Sequence, residues 1–394
     1  MKVNIEAQWA CVKRKNLRGI PYYIINVVKS LAARERNDYS ISFFDFDKER
    51  DNRSYIDEYF GMEALRKLSV FECNSLNYKT IIDACASGVH TAYDTIPYSS
   101  YIGADADVFH FPSHQALPLN VPGRMVVTVH DTLLFLPKHA DLYGRESRMA
   151  FENIMRYITH RKDVILIAVS QSTKNDIQFY TDISPKRIII VPEAYDRATH
   201  FPERNDEMLS AMGIDAPFLL YLGGLDFRKG IIDILDSFEM LKPKYRELKL
   251  VLAGYLSPTV TPIIDRLSNY RFIKDVIMPG FVSDDQKRAL LSSALVFLFP
   301  SEYEGFGLPV LEAMACGSPV ITSNVSSLPE VGGSAALYVT PNAPEQLTAE
   351  IERLLNSEGL RRECIEKGFE HVCGFSWDKT AELTEEVYEF ACLI

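Results

Sequence analysis

The sequence predicts an α/β protein in two halves of like architecture, each built on a parallel β-sheet covered by helices. Three observations carry this. The chain of 394 residues is too long for one ordinary core and suits two domains. Short apolar runs alternate with helical patterns almost throughout, and apolar strands separated by helices argue for a parallel sheet with both faces buried. The same alternation occurs, more loosely, in the first half as in the second.

In chain order, the first half offers strands at Lys2–Ala7, Ile41–Phe46, Val108–Pro112, Met125–Asp131, Val164–Ser170 and Ile188–Pro192. Ser170 and Ser172 open a helix through Tyr180, where serine hydroxyls suit the N-cap. A boundary is expected near Pro192–Arg204, where turn and charged residues follow the last strand. The second half offers strands at Phe218–Gly224, Lys249–Gly254, Val276–Val282, Leu295–Ser301, Pro319–Asn324 and Ala336–Pro341. Helices are expected between them at Gly230–Leu241, Thr259–Asn269, Asp284–Ser293, Pro309–Cys316 and Pro344–Asn356. A final helix begins at Phe375-Ser-Trp-Asp and runs to about Leu393. The expected domains are residues 1–192 and 193–374, followed by the terminal helix 375–394.

Composition narrows the class. With 47% hydrophobic and 24% charged residues, this is the balance of a globular protein. No apolar run approaches the roughly 20 residues that cross a bilayer, and the first residues enter a strand directly, so a cytoplasmic location is expected. The seven cysteines are scattered without a Cys-x-x-Cys pair, as idle thiols in a reducing compartment would be. Net charge is +2 over residues 1–190 and −13 over residues 191–394. The N-terminal half is therefore the side suited to peripheral contact with an anionic membrane face or acceptor. Nucleic acid is disfavoured, since no basic stripe with interleaved aromatics appears.

The most informative segment is Ser301-Glu-Tyr-Glu-Gly-Phe-Gly-Leu-Pro-Val-Leu-Glu312. It follows an apolar strand, passes two glycines and enters a helix at Pro309, a residue suited to the first helical turn. Gly317 closes that helix. A Gly-rich strand-to-helix turn offers N–H groups and a helix dipole to an anion. Two carboxylates, Glu304 and Glu312, flank it with seven residues between them. They are unfavourable there unless they bond sugar or ribose hydroxyls, so the site suits a phosphate-linked sugar.

This segment resembles the Glu-x7-Glu motif of the retaining glycosyltransferases of family 4. The resemblance recurs in order at Val129-His-Asp131, Ala168-Val-Ser-Gln-Ser-Thr-Lys-Asn-Asp-Ile177, Tyr221-Leu-Gly-Gly-Leu-Asp-Phe-Arg-Lys-Gly230 and Pro279-Gly-Phe-Val-Ser283. It implies the GT-B architecture: two Rossmann-like domains facing across a cleft, with the last helix crossing back to the N-terminal domain. It also implies roles. Glu304 becomes the carboxylate beside the donor sugar and Glu312 the ribose clamp. The amides of Gly305, Phe306, Gly307 and Leu308 would meet donor hydroxyls and phosphate, with Gly224 and Val282 completing the donor side. Arg228 and Lys229 would neutralise the departing diphosphate. His130 lies where the family places a histidine near the donor sugar, and Asp131 would orient its loop or the imidazole. Gly19, in Arg18-Gly-Ile-Pro-Tyr-Tyr23, opens the glycine loop of the acceptor side, to which His110 and His114 also belong. Two departures stand out: family members often carry arginine where this chain has Gly224, and glycine then arginine where it has Pro21 and Tyr22.

Asp45-Phe-Asp47 and Asp105-Ala-Asp107 match the Asp-x-Asp pattern by which another glycosyltransferase fold binds metal, a pattern that arises readily by chance. No catalytic metal and no cofactor are expected, because Arg228, Lys229 and helix dipoles supply the same electrostatics. The resemblance thus implies transfer of a hexose from a nucleotide-diphosphate sugar to a hydroxyl of a glycan or lipid-linked glycan. Mannose from GDP-mannose is the first choice and UDP-sugars the second. A glycan phosphorylase, a nucleotide-sugar epimerase or a non-catalytic nucleotide-sugar-binding partner on the same scaffold are the alternatives. A dehydrogenase is disfavoured, since no Gly-x-Gly-x-x-Gly follows the first strand.

Overall fold

A computed structural model describes residues 1–12, 19–44, 52–73, 81–88, 95–136, 143–257 and 259–394. The chain divides into two compact units: Met1–Glu193 with Trp377–Ile394, and Ala194–Ser376. Arg18, Asp45 and Asp47 lie outside the described residues.

In the first unit the strands are β1 (Lys2–Glu6), β2 (Asp38–Phe44), β3 (Ser69–Cys73), β4 (Val108–Phe111), β5 (Arg124–Val129), β6 (Val164–Ala168) and β7 (Ile188–Ile190). All pair in parallel, in the order β3-β2-β1-β4-β5-β6-β7. Strands β4 and β6 are buried along their whole length, as a sheet covered on both faces requires. Strand β3 has no counterpart among the sequence-expected strands. It is an edge strand whose Glu72 is exposed and whose only buried residue is Cys73, so it lacks the apolar run that marks the others.

The second unit holds β8 (Phe218–Leu222), β9 (Lys249–Ala253), β10 (Val276–Gly280), β11 (Val296–Phe299), β12 (Val320–Ser323) and β13 (Leu337–Val339). These are also parallel, in the order β10-β9-β8-β11-β12-β13. Both sheets are Rossmann-like, and in each the order reverses beside the unit's first strand. The expected helices of this half are present, two at the expected bounds, two slightly shorter and one a residue earlier, at Ile231–Leu241, Thr261–Ser268, Asp284–Ser293, Leu308–Ala315 and Pro344–Asn356.

The final helix, Trp377–Leu393, returns to the first unit. It packs on the helix Ile20–Arg34 and on β4, β5 and β6. Its anchor is Glu385, wholly buried, whose carboxylate accepts bonds from Arg34 Nε (2.7 Å) and the Tyr39 hydroxyl (2.7 Å). Thr380 Oγ1 donates to Pro192 O (2.8 Å). Among the described residues no helix is long and apolar enough to cross a membrane.

Candidate functional site

Ligands of open parallel sheets gather outside the carboxyl ends of the strands where their order reverses. In the second unit that point lies between β8 and β11. Two loops converge there. After β8, Asp226 opens a short 3-10 turn, Phe227–Lys229, by accepting the Arg228 N–H (3.1 Å). Gly230 ends the turn at φ 69°, and a Cβ on it would stand 2.2 Å from Pro300 O. Only glycine brings the turn this close to the exit of β11. Lys229 Nζ consequently pairs with Glu304 Oε1 and lies 5.3 Å from the centre of the Phe299 ring. Arg228 donates to Tyr303 O (2.7 Å) and stands 3.7 Å from Glu304 Oε2. Burial and the neighbouring Arg228 draw the Lys229 pKa down, against the opposing pull of Glu304.

The loop from Ser301 leads into the helix Leu308–Ala315 through Gly307 at φ 118°. Gly305, Phe306, Gly307 and Leu308 thus lie between Glu304 and the helix start, where first-turn amides have no intrahelical acceptor. At the other end Gly317 N–H bonds Met314 O and Ser318 N–H bonds Ala313 O, the Schellman pattern, with Gly317 at φ 83°. Glu312 lies on the buried side of this helix. Its carboxylate meets Lys287 Nζ at 2.6 Å and His200 Nε2 at 3.5 Å. Burial alone would raise its pKa, but Lys287 and His200 outweigh that and hold it below the ordinary carboxylate value.

Gly224 has a steric reason to lack a side chain. A Cβ there would meet the Tyr255 ring at 2.9 Å, and the Tyr221 hydroxyl donates to Gly224 O at 2.6 Å. The half-exposed Tyr255 ring takes the space in which an arginine stem would begin. Val282 is half-buried just beyond β10, between the exposed Phe281 and Ser283, which forms a capping box with Gln286.

In the first unit His130 follows β5 with both ring nitrogens occupied. Nε2 lies 2.7 Å from Pro112 O and Nδ1 lies 2.7 Å from Glu193 Oε1. A carbonyl only accepts, so Nε2 carries a proton, and a second proton on Nδ1 satisfies the carboxylate. Burial would lower the His130 pKa, but Glu193, the Pro112 carbonyl and Asp131 together raise it above the ordinary value. Both His130 nitrogens are thus engaged by groups of the first unit. Asp131 orients the loop, accepting the Leu133 N–H at 3.1 Å. Gly19, exposed at φ 56°, is the N-cap of the helix Ile20–Arg34, and among the described residues nothing lies within 4 Å of where a Cβ on it would stand.

His110 does not line an acceptor surface. It is wholly buried, with Nδ1 on the Tyr388 hydroxyl (2.7 Å) and Nε2 on Thr128 Oγ1 (2.9 Å). Burial pushes its pKa down to about 3, so it sits in the sheet as a neutral hydrogen-bonding group. Of the Asp105–Asp107 pair, Asp107 accepts the Lys2 N–H at 2.8 Å. Among the described residues no group of three or more His, Cys, Asp or Glu side chains is placed to hold a metal ion.

Residues 210–371 match the family described as glycosyl transferases group 1. That segment belongs to the glycosyl transferases group 1. It is 31% identical over 274 residues to the serotype-specific mannosyltransferase WbdA of Escherichia coli, covering 68% of this chain and 33% of that protein. It is 28% identical over 290 residues to the O-antigen chain mannosyltransferase B of Escherichia coli, covering 72% of this chain and 74% of that one. The chain thus spans about a third of the length of WbdA and about three quarters of the second relative. Among solved structures, HepE of Anabaena in complex with UDP and glucose superposes with a TM-score of 0.72 at 16% identity, over 98% of both chains. That likeness, with the two Rossmann-like sheets, gives the GT-B fold.

The matched group 1 segment contains Gly224, Arg228, Lys229, Val282, Glu304 and Glu312, but also partners that sequence reading missed. Lys287, Ser326 and Ser327 lie inside it, whereas His200 and Glu193 lie outside. The Lys287–Glu312 and His200–Glu312 contacts join residues far apart in sequence, with no local pattern to announce them. Ser327, directly before Leu328-Pro329 at the start of the helix Leu328–Gly332, carries a legible N-cap signal.

Proposed function

We propose that this chain is a retaining glycosyltransferase that moves a hexose from a nucleotide-diphosphate sugar to a hydroxyl of a glycan or lipid-linked glycan. Mannose from GDP-mannose is the first choice of donor. The observation that carries this is the meeting of Lys229 and Glu304 at the β8/β11 reversal, beside the N-terminus of the helix Leu308–Ala315. A cation, a carboxylate and helix amides at one strand end suit a ligand that is anionic at one side and hydroxylated at the other. The mannosyltransferase relatives support the choice of sugar.

In this reading the donor diphosphate lies against Lys229, Arg228 and the amides of the Gly305–Leu308 turn. The bond from the sugar C1 to phosphate oxygen breaks while the acceptor oxygen bonds to C1 on the same face. The acceptor proton passes to the departing phosphate, whose growing charge Lys229 and Arg228 offset. Glu304 faces the sugar and stabilises positive charge at C1. Glu312, already held by Lys287, retains lone pairs for ribose hydroxyls. No metal is needed for this electrostatic work.

The test is transfer and slow donor hydrolysis with GDP-, UDP-, dTDP- and ADP-sugars in EDTA, with the product anomer read by NMR. GDP-mannose turnover with retention of the α-anomer is expected. Inversion, or turnover that appears only when divalent metal is restored, refutes the proposal.

A further inference from the structure

A row of hydroxyls runs along β12 and the loop after it. Thr322 Oγ1 donates to Phe299 O at 2.8 Å, and Ser323 Oγ donates to Ser301 O. Ser326 Oγ accepts the Glu304 N–H at 3.0 Å. Ser327 Oγ reaches Glu304 O at 2.9 Å and Phe306 O at 2.5 Å. Thr322, Ser323 and Ser327 are fully buried. From the other side, Arg228 holds Tyr303 O at 2.7 Å. The backbone around Glu304 is therefore fixed by side chains from two neighbouring loops rather than by a ladder of its own.

Ser326 adds a second, independent sign. Its φ is 54°, one of three non-glycine residues with positive φ among those described. L-residues other than Asn, Asp and Gly rarely take this conformation, and strained positions persist where the surroundings over-determine them. Glycine would take it freely, but glycine has no oxygen for the Glu304 N–H. The conformation and the bond occur together at the one residue that bonds the amide of Glu304.

We propose that Ser326 and Ser327 are positioning residues for Glu304: by engaging both its N–H and its C=O, they fix the direction in which its carboxylate leaves the backbone. Freed from them, Glu304 would follow Lys229, its charge partner, out of register with the sugar carbon. This rests on the reading of Glu304 as the sugar-side carboxylate. A misplacement of about 1 Å near the reacting atoms costs up to roughly a hundredfold in rate, while donor affinity carried by the diphosphate contacts is spared.

The test compares full-length Ser326→Gly, Ser326→Ala and Ser327→Ala with wild type and Glu304→Ala, measuring kcat, KM for GDP-mannose and thermal midpoint. Both Ser326 variants should lose about tenfold in kcat with KM within about threefold, and Ser327→Ala should lose more. The glycine variant should melt no lower than the alanine variant, since it relieves the positive φ. If Ser326→Gly keeps wild-type kcat while wild type is active and Glu304→Ala is not, the turn needed only its backbone conformation and the inference is overturned. A wild type that transfers nothing, or an active Glu304→Ala, sinks the underlying functional reading and the inference with it.

Discussion

The two sheets share a strand order, yet their reversal points are furnished in opposite ways. At β8/β11, Lys229, Arg228 and Glu304 are charged and meet one another. Around β1/β4, Glu6, His110 and His114 are buried and shifted toward their neutral forms. Glu6, at the end of β1, is pushed up to about 8 by burial, and His110 on β4 down to about 3. His114, just after β4, is lowered to about 4, also by burial. At one reversal the charged groups have partners within reach, and at the other desolvation outweighs the Gln8 N–H at Glu6 and the pull of Asp131 on His114. A shared topology therefore fixes where a site can stand, while the local pairing of charges decides what it can bind.

The sharpest way to break this contrast is Glu304→Gln, which keeps the shape and removes the charge. Transfer should fall by about a thousandfold, with nucleotide binding by calorimetry nearly unchanged. Normal turnover would mean that the charged reversal point is merely structural. Next, Lys229→Ala should weaken donor binding and kcat/KM together by about a hundredfold, because it removes the charge that the proposed function sets against the leaving group. Steady-state kinetics would show this, and an unchanged kcat/KM would move the diphosphate elsewhere.

On the neutral side the effects are on stability. Tyr388→Phe strips the partner from His110 Nδ1 inside the first unit. A buried group left unsatisfied costs about 1–3 kcal/mol, measurable by urea denaturation. Smallest is the pH response. Because the folded pKa of His110 lies below its unfolded value, the unfolded chain binds a proton that the native chain refuses between about pH 6.5 and about 3. Stability must fall as pH drops through 6.5, by about 1.4 kcal/mol at pH 5.5 from this residue alone. His114 acts in the same direction. His130 opposes it, since its raised pKa gives stability that is present at low pH and lost as pH rises through the folded value. Thermal midpoints of wild type and His110→Gln between pH 7.5 and 5.5 read the difference, and an identical slope in both would refute the assignment.

How much of this was legible depends on range. Strands such as Val164–Ala168 and Val296–Phe299 announce themselves because burial on both faces demands an unbroken apolar run. Strand β3 does not, because an edge position relaxes that demand. Glu304 and Lys229 were readable separately from their motifs, but their contact spans 75 positions and only folding reveals it. Glu312 was assigned without Lys287 or His200, and His130 without Glu193, since no local spacing encodes a partner on another element. His110 was misread for the same reason: a histidine near a strand's carboxyl end looks accessible until Tyr388 and Thr128 enclose it.

The return of the helix Trp377–Leu393 to the first unit has a consequence for synthesis. The second unit, Ala194–Ser376, is contiguous and has all its strands once its own stretch has left the ribosome. The first unit, begun earlier, must wait for Trp377–Ile394, made after the whole of the second unit, because Glu385, Thr380 and Tyr388 satisfy Arg34, Pro192 O and His110 inside it. Vectorial folding runs from the amino end as a rule. Here the order of completion is reversed: the unit whose translation begins first lacks its cover over β4, β5 and β6 until the helix Trp377–Leu393 has been made, after the second unit.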